Sequence, residues 1–190
     1  MTGQRKIRRN GLRVIQGGKD PAARFGPVLV VVAPPDRPPF PVEALVLEED
    51  TFLVLSAEPI VVDPPEEPMR LMTRLIETRP EIPGTVLVRE RNPVRMLAVV
   101  HDVNREPSWR EDWVARALEA ALETAEQRGM RSVGLEMLGC MHGRLDPARF
   151  ASLLKSVLAG QAPCSLRRIW LMPSRKRKPG EIGRCLREAP

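Results

Sequence analysis

Val94-Arg95-Met96-Leu97-Ala98-Val99-Val100-His101 is a β-rich run, and together with the helices and strands after it in the chain it decides the fold. Ser108-x-x-Glu111 matches a capping box, in which hydroxyl and carboxylate satisfy free amides at a helix start. Trp113, Val114, Ala117, Leu118, Ala121, Leu122 and Ala125 then recur on one helical face, and Gly129 stands where a left-handed C-terminal cap is wanted. Residues 132–138 read as a buried strand. Asp146-Pro147 opens a second helix as a cap with proline at the first helical position; Phe150, Leu153, Leu154, Val157 and Leu158 face inward, and Gly160 closes it. Residues 166–172 form a last strand. Strand, helix, strand, helix, strand demands parallel pairing, because each crossover helix returns the chain to the same edge in a right-handed sense.

Working outward from this block, 85–89 and 94–101 read as adjacent strands joined through a turn at Asn92-Pro93. Further back, 28–33 is a strand closed by Pro34, Pro35, Pro38, Pro39 and Pro41, and 42–47 is another. Residues 51–56 and, more weakly, 59–62 are further β-rich runs. Met69, Met72, Leu75 and Ile76 have the spacing of a short helix. The expected architecture is α/β, a three-layer α/β/α sandwich with a mixed, mostly parallel sheet and a ligand crevice at the carboxyl ends of its strands.

The chain has 190 residues, enough for one well-buried domain. Its formal charge of +6 is unevenly spread. Residues 1–25 hold seven Lys/Arg against Asp20, and 173–190 hold six against Glu181 and Glu188, so of 30 basic and 24 acidic residues only 17 and 21 remain in 26–172. This suggests a basic N-terminal segment (1–25), a mildly acidic folded domain (26–172) and a basic tail (173–190), with any attraction to nucleic acid or an acidic partner exerted through the ends. There is no apolar run long enough to span a bilayer and no apolar stretch after the charged start. The expectation is a cytoplasmic protein without membrane contact. Cys140, Cys164 and Cys185 are too few and too irregular for a disulfide framework. The three tryptophans are too few and too element-bound to make a stacking platform for single strands. With no phosphate-binding lysine loop, nucleophile elbow, paired zinc histidines or CxxC repeat, the commonest enzyme classes fall away, and neither a metal nor a cofactor is implied.

The order Gly84-Thr85-Val86-Leu87-Val88, Met96-Leu97-Ala98-Val99-Val100-His101, long helix, Ser132-Val133-Gly134-Leu135-Glu136-Met137-Leu138-Gly139 resembles the macrodomain family. Members commonly bind ADP-ribose or related nucleotides and sometimes hydrolyse its linkage. The resemblance covers about 84–172, and more loosely 42–83. It implies that Glu136-Met137-Leu138-Gly139-Cys140-Met141-His142-Gly143 is the phosphate loop, one residue shorter than the family's and without its middle glycine. It also implies that Glu43 stands for the acid that receives an adenine amino group and Asp50 for the asparagine that positions the distal ribose. Asp50 offers no amide donor, and Glu48-Glu49 beside it repel phosphate. Where the family has a glycine-rich stretch, 51–63 contains no glycine.

The candidate ligand-binding residues are therefore Glu43, Asp50, Gly139, Cys140, Met141, His142, Gly143 and Arg144. Loop amides between Gly139 and Gly143 can hold an anion, and Arg144 can add a charge-assisted bond. Cys140 and His142 sharing one loop suggests a thiolate beside a base or half a metal site, although two ligands do not complete a shell. His101, at a strand end, reads as a structural histidine. Two functions are compatible with these residues. One is a divergent nucleotide-binding module for the ADP-ribose class, without hydrolase activity. The other is a non-enzymatic interaction protein whose pocket is lost, contacting nucleic acid or an acidic partner through its ends.

Overall fold

A computed structural model describes residues 20–55, 79–161, 163–174 and 177–188. The strands are β1 (Ala22–Phe25), β2 (Val28–Val32), β3 (Ala44–Asp50), β4 (Val86–Arg89), β5 (Val94–His101), β6 (Ser132–Glu136) and β7 (Arg168–Met172). The helices among the described residues are α1 (Glu111–Gln127), α2 (Pro147–Gln161) and α3 (Pro179–Glu188). The strands form one seven-stranded sheet in the order β1-β2-β7-β6-β3-β5-β4. The five inner strands are parallel, and the edge strands β1 and β4 run antiparallel to β2 and β5. The mixed, mostly parallel sheet expected from the crossovers is present.

Alternation along the strands assigns the two faces. Ala44 and Val46 of β3, Ile169 and Leu171 of β7, and Met96, Ala98 and Val100 of β5 join the core that Val114, Leu118, Phe150, Leu154 and Ile182 of the helices complete. Leu45, Trp170 and Met172 face the other way, with Phe40, Val42 and Ala33. Each leucine this deeply buried contributes about 1.5–3 kcal/mol through apolar area removed from water.

Four differences from the sequence reading have local causes. Ala22–Phe25 and Pro179–Glu188, placed among the basic ends, belong to the fold. β1 folds back on β2 through Gly26 at φ +55°, and α3 buries Ile182 and Leu186. Residues 51–55 form turns instead of a strand, because Asp50 and Glu49 draw their amides inward; the remainder of the expected 51–62 strands and the helix around Met69 lie outside the described residues. The capping box is absent. Arg110 is the N-cap and makes no side-chain cap bond, since the Ser108 carbonyl accepts from Asp102 N and Trp109 bridges His101. The strand after α1 ends at Glu136, freeing residues 137–143 to curl. Asp146 does cap α2, its Oδ1 accepting from Ala148 N at 2.8 Å, and Gly129 does terminate α1 at φ +66°.

Candidate functional site

The parallel strands β3, β5 and β6 deliver Asp50, His101 and Glu136 to a common carboxyl-end rim. The loop leaving β6 turns sharply there. Gly139 adopts φ +75°, and a Cβ on it would come within 2.9 Å of Val114 Cγ2; a Cβ on Gly143 would meet the Gly139 carbonyl. That carbonyl also accepts from Leu145 N at 3.0 Å. The curl turns the amides of Gly139, Met141 and His142 inward, a concavity of N–H donors of the kind that holds anions.

The anion in it is the protein's own. Glu48 Oε2 accepts from Gly139 N at 2.8 Å and Met141 N at 3.3 Å, while Oε1 accepts from His142 N at 2.9 Å and lies 2.5 Å from His101 Nε2. The Glu48 side chain has no solvent exposure and that of His101 only 7%. A buried carboxylate is costly unless its lone pairs are satisfied, and three amides with an imidazole satisfy this one. His101 is thus buried at its strand end with Glu48 as its partner.

More acids crowd the same rim. Asp50 Oδ1 accepts from Phe52 N at 2.6 Å and its Oδ2 from Leu55 N at 3.1 Å; Glu49 Oε1 accepts from Leu55 N at 2.8 Å. Glu136 Oε2 accepts from Glu48 N at 2.7 Å. Burial holds the Glu136 carboxyl above the ordinary value of 4.5; the Glu48 amide opposes this and the Glu48 and Glu49 charges add to it. Burial, then the charges of Glu48 and Asp146, push the Cys140 thiol up to about 12 against the pull of Arg177. It is a thiol at neutral pH, so the thiolate suggested by its proximity to His142 does not form. His142 points its ring edge-on at His101, centroids 6.3 Å apart. No group of three potential metal ligands occurs among the described residues.

Of the eight candidates, Asp50 and 139–144 share this rim. Gly139 is buried, Cys140, Met141 and Gly143 are half-buried, and His142 and Arg144 are exposed. Glu43 stands apart, just before the amino end of β3, roughly 20 Å down the strand from Asp50. Its Oε2 accepts from Arg131 N and Ser132 N at 2.5 and 2.9 Å. Glu48, the group in the cradle, was not among the candidates. Its signal was the run Glu48-Glu49-Asp50 directly after apolar residues, which reads locally as a break between strands.

Beside the rim, a cleft of about 480 Å³ opens over the carboxyl ends of β2 and β7. Pro34, Pro35 and Asp36 line one wall, Pro173 and Ser174 another, and Arg177, Lys178 and Pro179 bring in the start of α3.

No protein-family profile and no curated protein matches this chain. Solved structures do. The Oceanobacillus iheyensis macrodomain with ADP superposes with a TM-score of 0.60 at 12% identity, covering 90% of this chain and 94% of that one. The macrodomain of Mycobacterium tuberculosis DarG superposes with a TM-score of 0.55 at 17% identity, over 77% and 99%, and that of Thermus aquaticus DarG with 0.53 at 18%, over 75% and 97%. At such identities the shared property is the arrangement of strands and helices, and by that arrangement the chain has a three-layer, macrodomain-like α/β/α fold.

Proposed function

We propose that the protein is a macrodomain-like binding module for a nucleotide of the ADP-ribose class, that it does not hydrolyse its ligand, and that the ligand's phosphates lie outside the loop Gly139–Gly143. The observation that supports phosphates lying outside that loop is the Glu48 carboxylate seated on the amides of Gly139, Met141 and His142. A phosphate cannot enter a cradle already filled by a buried anion and bordered by Glu49 and Asp50, because like charges in a poorly solvated site repel strongly. The adjoining cleft offers the alternative. It lies where open α/β sheets place ligands, and Arg177, Lys178 and the first amides of α3 supply positive potential there. Nucleotide class is supported by the fold and by neighbours of that fold solved with ADP and with ADPR.

Calorimetric titration with ADP-ribose, ADP and AMP tests the reading. Heat of binding is expected with wild type and a large loss with Arg177→Ala/Lys178→Ala. Absence of heat at high protein concentration sinks it and leaves the second reading, a partner-binding protein that retained the fold and closed its pocket. That second reading is favoured by the same carboxylates, since Glu48 and Asp50 are both consumed in internal bonds.

A further inference from the structure

The amino ends of the parallel strands form a second rim, at the opposite end of the sheet. Its loops are shaped by carboxylates bonded to main-chain amides. Glu43 takes Arg131 N and Ser132 N, and Glu126 takes Ser165 N and Leu166 N at 2.9 and 2.8 Å. The Arg131 carbonyl in turn accepts from Arg167 N and Arg168 N at 2.9 and 3.0 Å. This lattice sets the exposed side chains of Arg131 and Arg167 around a polar cleft of about 400 Å³, with Gly129, Cys164 and Ser165 completing it. Neither guanidinium pairs with a carboxylate among the described residues, and Arg167 meets only the Leu166 carbonyl.

The row continues on both sides. Arg168 lies over the Phe40 ring, 4.8 Å from its centroid. Arg128, at the end of α1, pairs with the exposed Glu90 at 2.9 Å. Arg24 and Arg89 stand exposed on the antiparallel edge strands, which finish on this rim. Six arginines thus lie along an edge seven strands wide, about 29 Å at the usual strand spacing. This rim carries acids too, but Glu43 and Glu126 are bonded to main-chain amides and Glu90 pairs with Arg128, whereas Glu48, Glu49 and Asp50 at the far rim are buried.

We infer that this edge binds the phosphate backbone of a nucleic acid, with one phosphate held between Arg131 and Arg167. Planar guanidinium forks match phosphate geometry. A duplex presents phosphates densely and regularly, one per about 3.4 Å of helix axis on each strand, to a row of this length, whereas an acidic peptide offers its charges irregularly. A lipid surface would need apolar anchors, and the exposed large apolar residues among those described, Val54, Leu55, Ile82 and Val103, all sit at the other rim. The inference is independent of the nucleotide reading, which concerns the opposite end of the sheet.

Anisotropy of a labelled short duplex, titrated with the full chain at several salt concentrations, tests it. Arg131→Gln/Arg167→Gln is expected to weaken binding for every sequence alike and to reduce the slope of log K against log salt by about 2. Arg184→Gln/Arg187→Gln, which removes two charges from α3, serves as the control and keeps nearly the whole slope. Urea midpoints of both variants verify folding. The inference is overturned by no duplex binding by wild type; by equal slope losses in the two variants, meaning bulk charge alone; or by wild-type behaviour of the Arg131→Gln/Arg167→Gln variant, meaning that the basic ends do the binding. Preference of the wild-type chain for anionic vesicles over duplex overturns it as well.

Discussion

The two ends of the sheet solve the same problem with opposite electrical results. At each, loop amides left over by the strands need acceptors, and at each a glutamate provides them. At the carboxyl ends the acceptor, Glu48, is wholly buried and ringed by Glu49, Asp50 and Glu136, so a site built to receive an anion already holds one. At the amino ends Glu43 and Glu126 do the same work from the surface, and their charges go to amides instead of to the neighbouring arginines. Over β3, β5 and β6 the carboxyl-end loop is sealed and acidic, while the cleft beside it over β2 and β7 stays open; the amino-end rim is open and basic. The sign a rim shows to ligands thus depends on what its carboxylates are already bonded to, more than on how many charged residues it contains.

Removing each carboxylate gives the largest test of this contrast. Glu48→Ala strands the buried Gly139 amide and His101, removes the acceptor of the Met141 and His142 amides, and is expected to cost about 3–5 kcal/mol in urea unfolding. Glu43→Ala exposes its amides to water, which replaces the lost acceptor, and is expected to cost about 0.5–1 kcal/mol. Equal costs would break the comparison. Glu48→Gln, which keeps an acceptor, should fall between them.

A smaller effect comes from pH. Burial raises the folded-state value of Glu136 above 4.5, so the native form holds this proton more tightly than the unfolded chain. Stability contributed by the protonated form is present below 4.5 and is lost as pH rises through the higher native value. Glu136→Gln keeps the acceptor for Glu48 N and should remove that decline, so the urea midpoints of wild type and variant diverge as pH rises above the unfolded value of 4.5. Parallel curves would mean that burial and the neighbouring charges do not raise the Glu136 carboxyl in the native state.

The smallest effect is chemical. With its thiol pushed to about 12, Cys140 has roughly one thiolate in ten thousand at pH 8, so iodoacetamide should label the exposed Cys164 well before it. Prompt labelling of Cys140 would show a loop more open than the Glu48 bonds allow.

Most of the second half of the fold was legible because its periodicities are local. The inward face of α1, the proline start of α2 at Asp146-Pro147 and the glycine stop at Gly129 are each set by neighbours within a few residues. Legibility failed where composition masked pattern. Ala22-Ala23-Arg24-Phe25 before Gly26-Pro27 is a hairpin arm, and Ile182 with Leu186 is a helical repeat, yet both lie among basic residues that suggested solvated ends. The candidate loop was found, but the group it holds was not.

The chain order alone determined that strands alternate with helices, that the inner sheet is parallel, and that residues 139–143 emerge at a carboxyl end, since each depends on residues near one another along the polypeptide. Tertiary structure alone decided that Glu48 enters that loop from ninety-odd residues upstream, that Glu43 stands at the other end of its strand, and that scattered arginines line up on one edge. Such facts depend on which strands become neighbours. A carboxylate's role is set by the donors that the sheet order brings to it, and no spacing along the chain records them.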